Sequence, residues 1–427
     1  MSLQDAGQNH IITAISTAPA DRYGQVRHRT EALAAPLSDA DMTAQSMDDA
    51  SPAKWHLAHT TWFFETFLLT PSLPGYRLFD DRYTYLFNSY YEAVGARHAR
   101  PRRGMLTRPA AAEVMAYRKH VDAAMERLLE NGAPPDLLAL VELGLNHEEQ
   151  HQELLLTDIL HLFAQNPLHP AYQPLTEADA PAEASTFTWK GYPGGIYSVG
   201  HDGVGFAFDC ESPRHDVLLH PYALATRPVT NGEWLEFMAD SGYATPLLWL
   251  SDGWATVQAR GWTAPLYWEK QDGAWHQMTL RGLRPLNPAA PVCHISQYEA
   301  DAFATWAGAR LPTEFEWERA AAPLPHHGTF MESGHYRPMP EAAAPSALSG
   351  MFGNVWEWTR SAYAPYPGFR PAAGAVGEYN GKFMSGQYVL KGGSCATPRG
   401  HIRASYRNFF HPDKRWQVSG LRLARDA

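Results

Sequence analysis

Pro134-Pro-Asp-Leu-Leu-Ala-Leu-Val-Glu-Leu-Gly-Leu-Asn-His-Glu-Glu-Gln-His-Gln-Glu-Leu-Leu-Leu-Thr-Asp-Ile-Leu-His-Leu-Phe163 is the stretch on which the reading of this chain turns. Two prolines and an aspartate open it as they open a helix, and no turn-forming cluster interrupts it afterwards. Leu140, Gly144, His147, His151, Leu154 and Asp158 recur at helical spacing, which predicts one face turned toward the core of a bundle. His147 and His151 are four apart and project from nearly the same side, so both can bind a single ion. A third ligand has to come from another helix, and Trp55-His-Leu-Ala-His59 offers two histidines. Spacing alone does not choose between His56 and His59. Three imidazoles on two helices leave coordination positions open, and open positions mean chemistry.

The surrounding sequence is helical up to about residue 165. Ser51-Pro52 predicts a helix start, with Ser as N-cap and Pro at the first helical position, leading into the apolar run Trp55 to Leu69. A further helix is expected from Ala110 to Leu129. Between them, Leu73 to Arg108 is dense in Tyr, Arg, Gly and Pro and too long for a bundle turn, which marks it as functional. The segment from Ala171 to Ser185 has the Pro, Ala, Glu and Asp content of a linker. Beyond it come short aromatic strands, many Gly and Pro turns, and two short helices, Asn231 to Asp240 and Ser296 to Ala307. The expected organisation is therefore a helical domain over 1–170, a linker over 171–186 and a second domain over 187–427.

Whole-chain properties narrow the function classes. A length of 427 residues favours two domains or more. The formal net charge of −10, with no long basic run, argues against nucleic-acid binding. Cys210, Cys293 and Cys395 form neither a disulfide framework nor a zinc pattern. No basic-then-apolar leader opens the chain, and no segment approaches the roughly 18 apolar residues of a membrane span. These features predict a soluble cytoplasmic protein, with the oligomeric state left open.

The second half carries five phrases in order: Thr226-Arg-Pro-Val-Thr-Asn-Gly-Glu-Trp, Arg310-Leu-Pro-Thr-Glu-Phe-Glu-Trp-Glu, Gly353-Asn-Val-Trp-Glu-Trp-Thr, Gly392-Gly-Ser-Cys and Ser419-Gly-Leu-Arg-Leu-Ala. Together they resemble the formylglycine-generating-enzyme (sulfatase-modifying factor) domain, a C-type-lectin-like fold. The first half resembles a DinB-type four-helix bundle. The combination spans almost the entire chain and resembles the ergothioneine-biosynthesis sulfoxide synthases, which are non-haem iron enzymes, together with the related selenoneine synthases. The implied fold class is α+β. The implied reaction uses Fe(II) and O2 to join a thiol sulfur to imidazole C2 of hercynine (Nα-trimethylhistidine) as a sulfoxide.

The resemblance also implies roles for individual residues. His59 joins His147 and His151 as iron ligands, and His161 and His169 fall outside the motif. One branch of the family uses a phenol from its C-terminal domain, where this chain has Val376. Another uses a pair matching Tyr90 and Tyr91 in Asn88-Ser-Tyr-Tyr-Glu-Ala-Val-Gly, and the catalytic phenol is assigned to that pair. Within Arg97-His-Ala-Arg-Pro-Arg-Arg-Gly, Arg100 and Arg103 match the clamp on the thiol substrate's carboxylate. Gln150 is expected to bond the substrate imidazole. Asn408 is expected on the hercynine carboxylate and Phe409 on its trimethylammonium group. Phe410 replaces an acid associated with γ-glutamylcysteine, which favours free cysteine or a similar small thiol. Trp317 and the tryptophans of Val355-Trp-Glu-Trp are expected in the core, and Cys210 either as a buried inert thiol or as a soft group contacting the chalcogen substrate. The site is expected at the seam between the domains.

Several rivals share these residues. His147-Glu-Glu-Gln-His151 also spells the zincin protease motif, in which Glu148 is the base, but the metzincin third-ligand position holds Thr157. A selenoneine synthase joins a selenosugar to hercynine on the same scaffold, and an ovothiol-type synthase attaches sulfur at C5 of histidine. A copper-dependent formylglycine-generating oxidase needs paired cysteines. A non-catalytic sensor module uses the same folds without chemistry.

Overall fold

The computed structural model describes residues 18–130, 132–174, 186, 188–341 and 347–427. Most of the expected linker, residues 175–185, lies outside the described residues. Four helices build the N-terminal bundle: α1 (Pro19–Ala34), α2 (Ala53–Phe64), α3 (Ala111–Glu130) and α4 (Pro135–Ala164). α2 packs on α3 and α4, and α1 packs on α4. The close approach of α2 to α4 depends on Gly144, because a Cβ there would sit 2.7 Å from the Phe64 ring. After Phe64 the helix continues as a π-turn, Glu65–Leu69. The Glu65 carboxylate turns inward there and accepts hydrogen bonds from the Tyr76 and Tyr117 hydroxyls and the Phe79 N–H.

Two details of this half depart from expectation. Ser51 does not cap α2: the helix begins at Ala53 with Pro52 in the cap position. The Ser51 hydroxyl instead accepts from Arg103 Nη1 at 2.9 Å, and its N–H donates to Asp158 at 2.8 Å. A tertiary claim on the serine thus overrides its local capping preference. The second departure concerns α4, which has no single apolar face. Leu140 and Leu154 are only half-buried, while Asn146, Glu148, Gln152 and Thr157, at other angles, are buried. The helix is enclosed by the bundle on one side and by the C-terminal domain on the other.

The C-terminal domain is built from short strands in four small sheets. β1 (Trp189–Tyr192), β4 (Tyr222–Ala225) and β12 (Ala424–Asp426) form one antiparallel sheet in the order β1-β4-β12. β2 (Gly195–Val199) and β3 (His215–Leu219) form a hairpin, and β5 (Trp268–Gln271), β6 (Ala274–Thr279) and β7 (Gly282–Pro285) a meander. The fourth sheet runs β10-β9-β8-β11, from β8 (Trp356–Ala362), β9 (Tyr388–Lys391), β10 (Asn408–Phe410) and β11 (Ser419–Gly420). Four helices accompany them: α5 (Asn231–Ala239), α6 (Ser251–Arg260), α7 (Gln297–Trp306) and α8 (Glu314–Ala321). Capping boxes start three of these, at Thr230/Glu233, Ser296/Glu299 and Thr313/Glu316. The phrases quoted above therefore include helix-start signals. They also supply the core: Trp317 donates to Glu357, which is ion-paired to the fully buried Arg422.

Glu153 of α4 joins the two halves. Its carboxylate accepts from Trp356 Nε1 at 2.8 Å, Ser394 Oγ at 2.6 Å and Thr397 Oγ1 at 2.7 Å, all from the C-terminal domain. Trp356, expected purely as core, is thus also an inter-domain contact. Among the described residues, no helix is long and apolar enough to cross a membrane.

Candidate metal centre at the domain seam

His59 on α2 and His147 and His151 on α4 meet in the interior, with one ligand nitrogen from each lying within 4.8 Å of the others. Their exposures are 0%, 2% and 9%. Trp55 stacks on the His59 ring, with centroids 4.6 Å apart, and Trp62 lies parallel to it at 5.5 Å. His59 Nδ1–H donates to the Phe87 carbonyl at 2.6 Å, which leaves Nε2 with its lone pair and no partner among the described residues. Both ring nitrogens of His147 are buried and, among the described residues, without a partner. His151 Nδ1 lies 2.8 Å from His56 Nδ1, so its Nε2 is the atom left for a ligand. His56, which spacing left level with His59, stands one layer behind the triad.

These atoms pass a chemical test for a cation. Burial lowers the proton affinity of all three imidazoles, His147 to about 3, and neighbouring imidazoles add to the effect at His59 and His151. All three are therefore neutral donors at pH 7. Buried polar atoms without partners are rare, and several converging on one point call for an ion. A divalent ion on three imidazoles keeps its full charge and has positions to spare.

Glu148 takes no part. One residue round the helix from His147, it is clamped between Arg27 Nη1 at 2.8 Å and Arg118 Nη2 at 3.0 Å. Burial alone would raise its pKa, but the two guanidinium groups hold it down at about 2. A carboxylate so occupied cannot serve as the base of a zincin. Thr157 hydrogen-bonds its own helix at the Leu154 carbonyl. His161 bonds Ser46, and His169 pairs with Glu269 well away from the triad.

The sequence-predicted substrate residues divide sharply. Arg103 turns inward at 2% exposure, 3.4 Å over the Trp55 ring, bonded to the Ser51 and Ser89 hydroxyls. Among the described residues it makes no ion pair, and its Nε has no partner. Burial and the like charge of Arg100 push its guanidinium below the ordinary range. Arg100, at the start of the same 3-10 turn (Arg100–Met105), is exposed and outside this buried group. One complete turn separates a buried from a solvated guanidinium, a difference that residue type alone does not reveal.

Gln150 faces the seam, but both ends of its amide are engaged by tyrosines. Nε2 donates to the Tyr406 hydroxyl at 2.7 Å, and Oε1 accepts from the Tyr379 hydroxyl. Behind Tyr406, His401 Nε2 lies 2.9 Å away, and His401 Nδ1 is 3.3 Å from Glu149. Tyr379 is the residue that sequence reasoning missed. Val376 does occupy the expected position, in a 3-10 turn (Ala375–Glu378), yet three residues later Tyr379 sets its ring against His147, with centroids 5.5 Å apart. It is the one tyrosine ring in contact with the triad among the described residues. Tyr379 belongs to Gly374-Ala-Val-Gly-Glu-Tyr-Asn, the stretch in which sequence reasoning singles out Val376.

Tyr90 and Tyr91 stack on each other at 4.6 Å in the long bundle segment. Tyr90 contacts Tyr379 and Phe383, while Tyr91 packs on Trp62 and Phe67 with its hydroxyl buried beside that of Tyr90. Burial raises all three phenols, so they stay protonated. Asn408, Phe409 and Phe410 form β10, and alternation sends neighbours to opposite faces. Phe409 stacks on Tyr363 at 4.0 Å and faces Phe383, whereas Phe410 packs edge-on against Trp416. Asn408 Oδ1 accepts from the Phe409 N–H. Cys210 is buried with its thiol pushed up to about 12, by burial first and then the charge of Glu211.

Comparison with known proteins agrees with both halves. The DinB superfamily matches residues 22–155, and the sulfatase-modifying factor enzyme 1-like domain matches residues 191–342 and 331–427. The hercynine oxygenase of Mycolicibacterium smegmatis is 34% identical over 438 aligned positions, covering 95% of this chain and 98% of the relative. That of Mycobacterium tuberculosis is 34% identical over 420 positions, covering 91% and 94%. Ergothioneine biosynthesis protein 1 of Schizosaccharomyces pombe is 27% identical over 231 positions, covering 52% of this chain and 28% of the relative.

Proposed function

The chain belongs to the ergothioneine-biosynthesis sulfoxide synthase family, in which the hercynine oxygenases stand, and from that premise we propose that it is an Fe(II)- and O2-dependent enzyme forming a C–S bond at imidazole C2 of hercynine. The observation that carries this reading is the cluster of buried imidazole nitrogens on His59 and His147 that no group among the described residues satisfies. His59 Nε2, His147 and His151 Nε2 would hold the iron. Bound there, iron would supply O2 activation in a site from which the two domains exclude water.

The overall change balances as hercynine C–H plus a thiol S–H plus O2, giving the C–S(=O) product and one water. One oxygen atom ends on sulfur and the other takes up the two displaced hydrogens. Cysteine or a similar small thiol is the proposed donor.

The chain's own residues bind, orient and hold protons around that change. Arg103, backed by the Trp55 face and held by two serine hydroxyls, is a guanidinium with no ion-pair partner among the described residues, suited to the carboxylate of an amino-acid thiol. Its depth makes it, rather than the exposed Arg100, the principal clamp. The aromatic faces of Phe409, Tyr363 and Phe383 suit the trimethylammonium end of hercynine, with Asn408 at the carboxylate. The phenol that holds or delivers a proton is Tyr379, beside His147. Gln150 aims it, because accepting the Tyr379 hydroxyl proton fixes where the oxygen lone pairs point. Tyr90 and Tyr91 form the wall behind that phenol, and the buried Tyr91 hydroxyl is the second candidate for the same task. Cys210, a protonated thiol at neutral pH, is inert packing in this reading.

The deciding experiment is aerobic incubation of Fe(II)-loaded protein with hercynine and, separately, cysteine, γ-glutamylcysteine or a selenosugar, followed by mass spectrometry and O2 uptake. Cysteine is expected to give the sulfoxide adduct. Turnover only with the selenosugar would reassign the chain to selenoneine formation. Neither O2 uptake nor adduct with any donor would leave a non-catalytic metal-binding module as the better account.

A further inference from the structure

Behind His151 lies a second row of buried polar groups. His56 Nδ1 is 2.8 Å from His151 Nδ1, and His56 Nε2 is 3.1 Å from Asp158 Oδ2. Asp158 Oδ2 also accepts the Ser51 N–H at 2.8 Å, and Asp158 Oδ1 accepts Trp416 Nε1–H at 3.1 Å. His56 and Asp158 are 3% and 6% exposed, so no solvent competes for these bonds. If His151 Nε2 carries a lone pair toward a metal, its proton must sit on Nδ1. His56 then accepts that proton's hydrogen bond at Nδ1 and donates its own Nε2–H to Asp158. One arrangement of protons satisfies every donor and acceptor, and it runs in one direction, from the metal face to the carboxylate.

We propose that His56 and Asp158 are positioning residues for the metal, a carboxylate–histidine–histidine relay that fixes the His151 tautomer and strengthens it as a donor. The inference rests on His59, His147 and His151 being the metal ligands. Metal-bound histidines gain affinity when the second ring nitrogen donates to an oriented acceptor. Here the acceptor is another imidazole, itself polarised by an anion. The relay also crosses the seam. Trp416 belongs to the C-terminal domain, and Phe410, beside it on β10, packs against its ring at 5.6 Å. The orientation of an N-terminal metal ligand is thereby tied to the docking of the C-terminal domain. His59 needs no such device, since the Phe87 carbonyl fixes its tautomer directly.

The test uses full-length protein without metal, titrated anaerobically with Fe(II) against a chromophoric chelator, and with Co(II) for its visible spectrum. Wild type is expected to bind one ion. His56→Phe should weaken Fe(II) binding about 10- to 100-fold and alter the Co(II) bands. His56→Asn returns an acceptor oxygen near the Nδ1 position and should recover most of the loss. Should His56→Phe not fold, judged by its metal-free melting curve, Asp158→Asn carries the test. It removes the charge, keeps an acceptor, and should weaken binding by about tenfold. Folded variants that bind Fe(II) as tightly as wild type, with an unchanged Co(II) spectrum, overturn the relay and leave the ligand triad standing. A wild type that binds neither ion overturns the triad itself, and the relay with it.

Discussion

Replacing Arg103 by Met should push stability and substrate affinity in opposite directions. The guanidinium is 2% exposed, makes no ion pair among the described residues, and is compensated by two hydroxyls, one indole face and the more distant charge of Asp158. Removing a charge from water costs several kcal/mol even after relaxation, and apolar replacement of whole buried ion pairs often stabilises by about 1–4 kcal/mol, which is the upper range for a single cation. Met has similar length and can lie along the Trp55 face, so Arg103→Met should gain stability within that range despite losing the cation–π contact. For a domain the size of this bundle, each kcal/mol raises the melting temperature by roughly 2–4 °C. Binding should move the other way. Hydrogen bonds to a charged group contribute about 1.5–3 kcal/mol, so the KM for the carboxylate-bearing thiol should rise roughly 10- to 150-fold. Calorimetric melting and steady-state O2 uptake against thiol concentration measure the two effects on one preparation. A variant that melts lower and binds the thiol normally would show Arg103 to be a structural cation and refute the reasoning.

Tyr379→Phe keeps the ring against His147 and Phe208 but removes the hydroxyl, so kcat should fall about 10²- to 10⁴-fold, while Tyr90→Phe changes it little; equal effects from the two in stopped-flow turnover would contradict the assignment. Glu148→Gln takes the shared carboxylate from Arg27 and Arg118, leaving Arg27 on Asp122 and Arg118 on the more distant Glu31, and should destabilise by about 3 kcal/mol in denaturant titrations, with metal binding retained. Because the folded Glu148 pKa is depressed to about 2 from 4.5, its contribution is complete above pH 4.5 and lost as pH falls through 2. That loss should be visible in acid unfolding of wild type and missing from Glu148→Gln. Glu153→Ala strands three donors of the C-terminal domain and should make that domain more susceptible to limited proteolysis than in wild type; an unchanged digestion pattern would place the docking energy elsewhere.

Local sequence logic determined much of this protein. A run from Pro134 to Phe163 with no breaker has little choice but to be a helix, and four-residue spacing sets His147 beside His151 whatever surrounds them. Capping boxes and core tryptophans in the second half likewise announce their own positions. Tertiary structure alone decided the rest. His56 and His59 are equivalent in spacing, and only the Phe87 carbonyl and Asp158 assign one to the triad and the other to the layer behind it. Arg100 and Arg103 are the same residue in one short turn, separated by which of them faces Trp55. Tyr379 and Gln150 meet across 229 positions of chain. Periodicity is a property of neighbours along a helix or strand, so it predicts faces; which atom reaches a shared centre depends on how two separately folded halves dock, and no local pattern encodes that.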